Sequence, residues 1–264
     1  MKRRPSLDVA SAIGLPAGVA VVMLAQALEG GSLRSLWQPT AALVVFGGTL
    51  GALLLSYPFE ALQRTGKALW EAFTGSSEAL EATIARLVAY AHQSRRKGVM
   101  GLEPEIDRAP EAFLRSALTL VVDGTAAETT RHILDIESQS RREWAELPAE
   151  VLETGAGYTP TLGILGAVLG LIHVMESLSE PSRLGAGIAV AFVATVYGVA
   201  TANLILLPLA TKLRMRARRS GLYRDIVVEG IVVLQEGLHP RLIEQKLYGF
   251  LTAANTDVQR RRAA

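Results

Sequence analysis

The chain has no cysteine, which excludes disulfides and thiolate metal sites. Its four histidines are scattered and show no zinc-ligand spacing. No nucleophile–base or metal-ligand pattern marks an enzyme, and no cofactor is expected. The most telling absence is charge. Between Thr154 and Met175, and again between Leu184 and Thr211, there is no Asp, Glu, Lys or Arg. Val9–Leu28 and Ser35–Phe59 are likewise uncharged. Each of these runs can cross a bilayer as a helix, which takes about 20 apolar residues.

What is present fits a membrane part joined to a polar part. Half of the 264 residues are hydrophobic and the mean hydropathy is +0.28. That is too apolar for an ordinary soluble domain and too charged for a chain wholly in lipid. A basic start followed by an apolar run also describes a signal peptide. The run is long for one, and no small-residue cleavage site closes it, so it is read as a retained helix.

The resulting expectation is an all-α integral membrane protein with four transmembrane helices and a helical cytoplasmic domain. Residues 1–59 form a first hairpin and 153–211 a second. Residues 60–152 form a polar helical domain, since stretches such as EALEATIARLVAYAHQSR show helical spacing of apolar residues. Residues 212–264 form a helical tail, broken at Gly237 and Pro240 and ending in a frayed basic QRRR. Lys and Arg set the orientation. Three precede the first span, eleven lie in 60–153 and eleven in the tail, against one in each short turn, Arg34 and Arg183. The basic segments are therefore inside, with both termini cytoplasmic. The KLRMRARR run reads as a topology and head-group anchor rather than a nucleic-acid patch.

An ion pathway normally needs an ionisable or coordinating group within the membrane. These spans offer no carboxylate, so either no ion passes or a partner helix supplies the acid. Three Gly-x-x-x-Gly pairs, Gly14/Gly18, Gly47/Gly51 and Gly166/Gly170, offer flat stripes for close helix approach, within the chain or to a partner. The last span adds Ala186, Ala189, Ala191, Ala194, Gly198 and Ala202, a small-residue surface suited to lining a tight central space. Thr195 and Ala167 lie about 16 Å and about 20 Å along antiparallel helices, near mid-membrane. The Thr195 hydroxyl either bonds its own helix or coordinates an ion or water. Pro160 and Pro208 sit near the cytoplasmic ends of their spans. Each leaves a carbonyl four residues earlier without its usual donor, at Ala156 and Leu204. They read as a hinge or as plain kinks.

GYTPTLGILGAVLGLI and GIAVAFVATVYGVATANLILLPLATKL resemble the third and fourth helices of the flagellar stator subunits MotA and PomA. The resemblance extends to SRRKGVMGLE, GGTLGALL and EGIVVLQEGLHPRLIEQKL, and so to most of the chain. It implies a homopentamer in the bacterial inner membrane around a dimer of a MotB- or PomB-like partner whose single span bears an essential Asp. Ions would pass along the interface onto that Asp, and the ring would drive the rotor protein FliG. Pro160 and Pro208 match the family's two functional prolines. Arg95 and Glu103 match its rotor-interacting charges. Where the family often has an Asp, this chain has Gly157, with Glu153 one turn earlier as a candidate substitute. Sodium-driven members carry Thr at the positions of Ala167 and Ala194, beside Thr195. A hard cation that sheds water needs oxygen ligands, so protons are the expected ion. The alternatives are a sodium-driven PomA-like stator, an ExbB/TolQ-like energiser, and a receptor or scaffold without ion flux.

Overall fold

The computed structural model describes residues 9–74, 79–176, 179 and 181–263. Among them every regular element is helical, and no strand occurs. The helices are α1 (Val9–Leu28), α2 (Pro39–Ala42), α3 (Gly48–Ser56), α4 (Phe59–Thr74), α5 (Leu80–Lys97), α6 (Glu103–Arg108) and α7 (Ala112–Val122). They continue with α8 (Ala127–Glu176), α9 (Pro181–Ala200), α10 (Leu207–Gln235) and α11 (Pro240–Ala263). π-helical turns at Leu43–Gly47 and Thr201–Leu206 join α2 to α3 and α9 to α10. The tail is helical through Ala263, where a frayed end was expected. The basic start before Val9 and most of the turn after Glu176 lie outside the described residues.

Among the described residues, three helices are long and apolar enough to cross a membrane: Pro39–Ser56, the apolar part of α8, and the run that opens at Gly187. α1 is a 20-residue helix with Pro16 inside it. Among the described residues its stretch Pro16–Leu28 is apolar.

The chain divides into two compact units. The first draws on Met1–Ser76 and Glu146–Arg216, the second on Ser77–Ala145 and Ala217–Ala264. This division follows contact, whereas the sequence segments follow apolar content, so α4 and the start of the 146–153 stretch join the apolar helices. α8 and α10 each supply residues to both units.

In the first unit α3 and α8 run antiparallel and are matched in size. A Cβ on Gly48 would lie 3.1 Å from Leu162, and one on Gly155 would lie 3.3 Å from Leu53. Polar closure comes at the cytoplasmic end, where Tyr57 and Thr154 share a hydrogen bond of 2.8 Å. Tyr158 and Ser56 share another of 3.0 Å.

The second unit has an ordinary apolar core. In α5, Leu80, Ile84, Leu87 and Ala91 repeat at helical spacing and are buried. They pack with Leu114, Leu118, Ile226, Ile231 and Leu247. Arg95, Arg96 and Lys97 occupy the last turn of α5, where the helix dipole favours cations. Gly98, at φ +74°, ends the helix in a conformation other residues resist.

Glu229 links three helices of this unit. Arg131 donates to it at 2.9 Å, and Lys246 pairs with its other oxygen. Burial raises its pKa, but the Lys246 and Arg131 hydrogen bonds outweigh burial and hold it below the ordinary 4.5. A depressed carboxylate stabilises the fold above its unfolded pKa and loses that contribution as pH falls through the folded value. Glu229→Gln is therefore expected to cost about 1–2 kcal/mol at neutral pH, given partial solvent screening. The difference from wild type should vanish in acid. Thermal midpoints of the detergent-solubilised protein from pH 7 down to pH 3 check this; a gap that does not narrow as the pH falls contradicts it.

Candidate functional site

The centre of the first unit is a glycine seam between α8 and α9. A Cβ on Gly163 would stand 2.9 Å from the Ala194 carbonyl and 3.4 Å from the Thr195 Cα. One on Gly166 would stand 2.9 Å from the Ala194 Cβ, and one on Gly170 would stand 2.9 Å from the Ala191 nitrogen. Gly198 is tighter still, at 2.6 Å from the Thr159 carbonyl. With lipid on the far side, helices associate through such close backbone contact. So the Gly166/Gly170 pair packs inside this chain. Gly14 and Gly51, in contrast, would meet nothing within 4 Å.

This seam corrects the expected use of the small residues. Ala191, Ala194, Gly198 and Ala202 are buried within the chain rather than turned to a central space. Ala189 is half-buried, and the Ala186 side chain lies outside the described residues. The exposed stripe of α9 and the turn after it is instead Ile188, Phe192, Val196, Val199, Asn203 and Leu207. The physical reason is size. Gly against Ala lets backbones touch, so the small face of α9 seeks the glycine face of α8.

The singled-out residues fall around the seam as follows. Ala194 is fully buried against it. Thr195 is half-buried, and its hydroxyl reaches the Ala191 carbonyl of its own helix at a long 3.4 Å. Ala167, next to Gly166, is half-buried. α8 is unbroken through Pro160. The Ala156 carbonyl that this proline leaves without its usual donor accepts the hydroxyl of buried Thr159 at 3.4 Å. Ahead of Pro208 the backbone takes a π turn, in which Leu207 N–H bonds the Ala202 carbonyl. π turns inside helices are frequent at functional sites.

Glu153 is paired with Arg214. It is therefore committed to a cation rather than free to stand in for a carboxylate at Gly157, which is exposed with nothing within 4 Å of a built Cβ. Lys212 lies 4.5 Å over the Phe73 ring, and Arg216 donates to the Glu71 carbonyl. Around these contacts Ala72, Ala149, Leu152, Ala210 and Leu213 form a small core. The basic run after α9 thus clamps α4, α8 and α10 together, a use that charge counting did not reveal.

Two residues escaped sequence reasoning. Tyr197 donates to the Leu36 carbonyl, accepts from the Gln38 N–H at 3.3 Å and stacks on Phe46 at 5.7 Å. It satisfies the irregular backbone ahead of Pro39, which membrane burial requires. Asn203 is exposed, with its amide nitrogen bonded to the Val199 carbonyl at 2.9 Å. Its signal was visible: it is the only carboxamide between Leu184 and Thr211.

In the second unit, Arg95 closes α5 and Glu103 opens α6, with Gly98 and a 3-10 turn between them. Both are exposed, as is Met100 between them. Neither charge is held in an ion pair among the described residues.

Comparison with known proteins decides the family. A model of the MotA/TolQ/ExbB proton channel family matches residues 105–225, and one of the motility protein A N-terminal region matches residues 12–98. Motility protein A of Bacillus subtilis (strain 168) is 31% identical over 94% of this chain and 92% of its own. The chain belongs to the motility protein A family. Chemotaxis protein PomA of Vibrio alginolyticus is 29% identical over 93% of this chain and 96% of its own. The solved flagellar MotAB stator complex from Bacillus subtilis superposes with a TM-score of 0.86 at 31% identity, covering 94% of this chain and 98% of its counterpart. As a member of that family, the chain is an ion-conducting stator subunit of the bacterial inner membrane. The match to the family's own N-terminal region separates it from the energiser branch that shares the channel helices. The scaffold reading falls with the same finding.

Proposed function

We propose that this subunit conducts protons, in a ring of five around two copies of a MotB-like partner, and that the ring turns a FliG-type rotor. Each subunit would cross the membrane four times, α1 included. The observation that carries the reading is the missing acid: no Asp or Glu lies in the two runs that form the glycine seam. An ion-conducting subunit built this way needs the carboxylate of a partner helix. Ala167 and Ala194 bring no hydroxyl, and Ala194 is fully buried, which leaves Thr195 as the oxygen of the trio. A lone hydroxyl can hold a water beside an acid. It is a thin shell for sodium, which must replace lost hydration with oxygen ligands. Pro160 and Pro208 would couple the change at the acid to the cytoplasmic part, and Arg95 and Glu103 would meet the rotor.

The experiment pairs two readouts. The subunit, co-expressed with its Asp-bearing partner and reconstituted in sodium-free vesicles, is expected to acidify the lumen when a potential is applied. Reversing Arg95 or Glu103 should leave that flux intact and abolish swimming, because exposed charges contribute little to folding. Swimming that survives both reversals contradicts the rotor assignment, and dry wild-type vesicles contradict the proton assignment.

A further inference from the structure

The stretch between Arg95 and Glu103 is held in place rather than loose. α5 ends at Lys97, and Gly98 turns the chain into the 3-10 turn Val99–Leu102. Three contacts seat that turn. Leu102 is fully buried in the apolar core of the second unit. A Cβ on Gly101 would stand 2.7 Å from the Lys97 Cβ, an atom that no side-chain rotation moves, so the turn comes this close to α5 only with glycine there. Gln93, one helical turn before Lys97, donates its amide N–H to the Gly101 carbonyl at 2.7 Å. Only the nitrogen end of a carboxamide can donate to a carbonyl, so the bond fixes which way the amide faces.

The register of that bond gives the role. Arg95 lies two residues beyond Gln93, on α5. Glu103 lies two residues beyond Gly101, at the start of α6. The Gln93–Gly101 bond therefore ties together the two segments that carry the charges. Both charges are exposed and outside any ion pair among the described residues, so both are offered outward. Charges presented at a set spacing leave less ordering for the encounter with a partner. A contact that passes on force must also not yield under it. We propose that Gln93 is a positioning residue for the rotor contact. Its bond to the Gly101 carbonyl holds Glu103 at a set distance from Arg95. The inference rests on the rotor reading of those two charges and deepens it.

The test uses the full subunit with its Asp-bearing partner. Gln93→Leu keeps the bulk and removes the donor. Gln93→Glu keeps the shape, and at neutral pH its carboxylate accepts but does not donate. Gln93→Lys has the reach and restores a donor. Hydrogen exchange at residues 98–103 of the assembled complex reads how often the turn leaves its seat. In the Leu and Glu variants exchange is expected to be about fivefold faster, the factor for one hydrogen bond of about 1 kcal/mol. Swimming should slow, while assembly and proton flux in vesicles stay at wild type. In the Lys variant exchange and swimming should both return toward wild type, which a general loss of stability would not show. If Gln93→Leu fails to assemble, Gln93→Glu decides. Exchange unchanged in the assembled variant, swimming unchanged despite faster exchange, flux that falls with swimming, or no rescue by lysine each overturns the inference. Reversal of Arg95 and of Glu103, run alongside, separates the two claims. If the reversals swim normally, the rotor reading fails and takes this inference with it. If they stop swimming and the Leu and Glu variants do not slow, the rotor reading stands and the role of Gln93 alone is refuted.

Discussion

Gly198→Val should abolish accumulation of the folded subunit, and Gly198→Ala should already be damaging. A Cβ at this position would stand 2.6 Å from the Thr159 carbonyl, 3.1 Å from the Pro160 Cα and 3.2 Å from the Gly163 Cα. All three are backbone atoms, so no side-chain rotation relieves the clash and the two helices must move apart. Separation then loosens Gly163, Gly166 and Gly170, which share the same contact line. Overpacking by one methyl typically costs about 1–3 kcal/mol. A valine adds two further carbons and stiff β-branching at the closest point, so it should exceed that range. Gly51→Ala is the control, since a Cβ there meets nothing within 4 Å. It should change stability by less than about 0.5 kcal/mol. Yield and thermal midpoint of the extracted protein measure both. A Gly198→Val protein with wild-type yield and midpoint would mean that the seam does not hold α8 to α9.

The contrast between Gly198 and Gly51 also shows where the sequence was legible and where it was not. Apolar runs without charge announce themselves, because lipid tolerates neither open backbone nor unpaired charge. Hence α2–α3 and the apolar parts of α8 and α9 lie where they were expected. Glycine spacing says that something comes close, not what. Gly166 and Gly170 turned to their own chain, and Gly14 and Gly51 meet nothing in it. Direction around the helix axis was the missing information, and it inverted the reading of Ala191, Ala194 and Gly198. Asn203 carries no titratable group, yet an unpaired amide at membrane depth is itself costly. Arg214 and Lys212 were read as orientation signals. Their bonds to Glu153 and their stacking on Phe73 depend on contacts between distant parts of the chain, which no local pattern encodes.

The second large effect concerns the driving ion. Collapse of the proton gradient should stop the motor, and withdrawal of sodium should not. Along the seam the oxygens on offer near mid-membrane are few. Ala167 and Ala194 supply none, and the Thr195 hydroxyl already reaches toward the Ala191 carbonyl at 3.4 Å. A sodium ion crossing here would have to exchange most of its hydration for one hydroxyl and the partner's carboxylate. Divalent and monovalent hard cations alike are held by several oxygens at once. A proton needs only the acid and a connected water, and the lack of hydroxyls at Ala167 and Ala194 blocks neither. The motor speed of cells carrying this subunit and its partner, recorded at fixed pH and membrane potential while external sodium is removed, tests the account most directly. A speed unchanged down to zero sodium is the predicted result; a speed that falls to zero with sodium would contradict it.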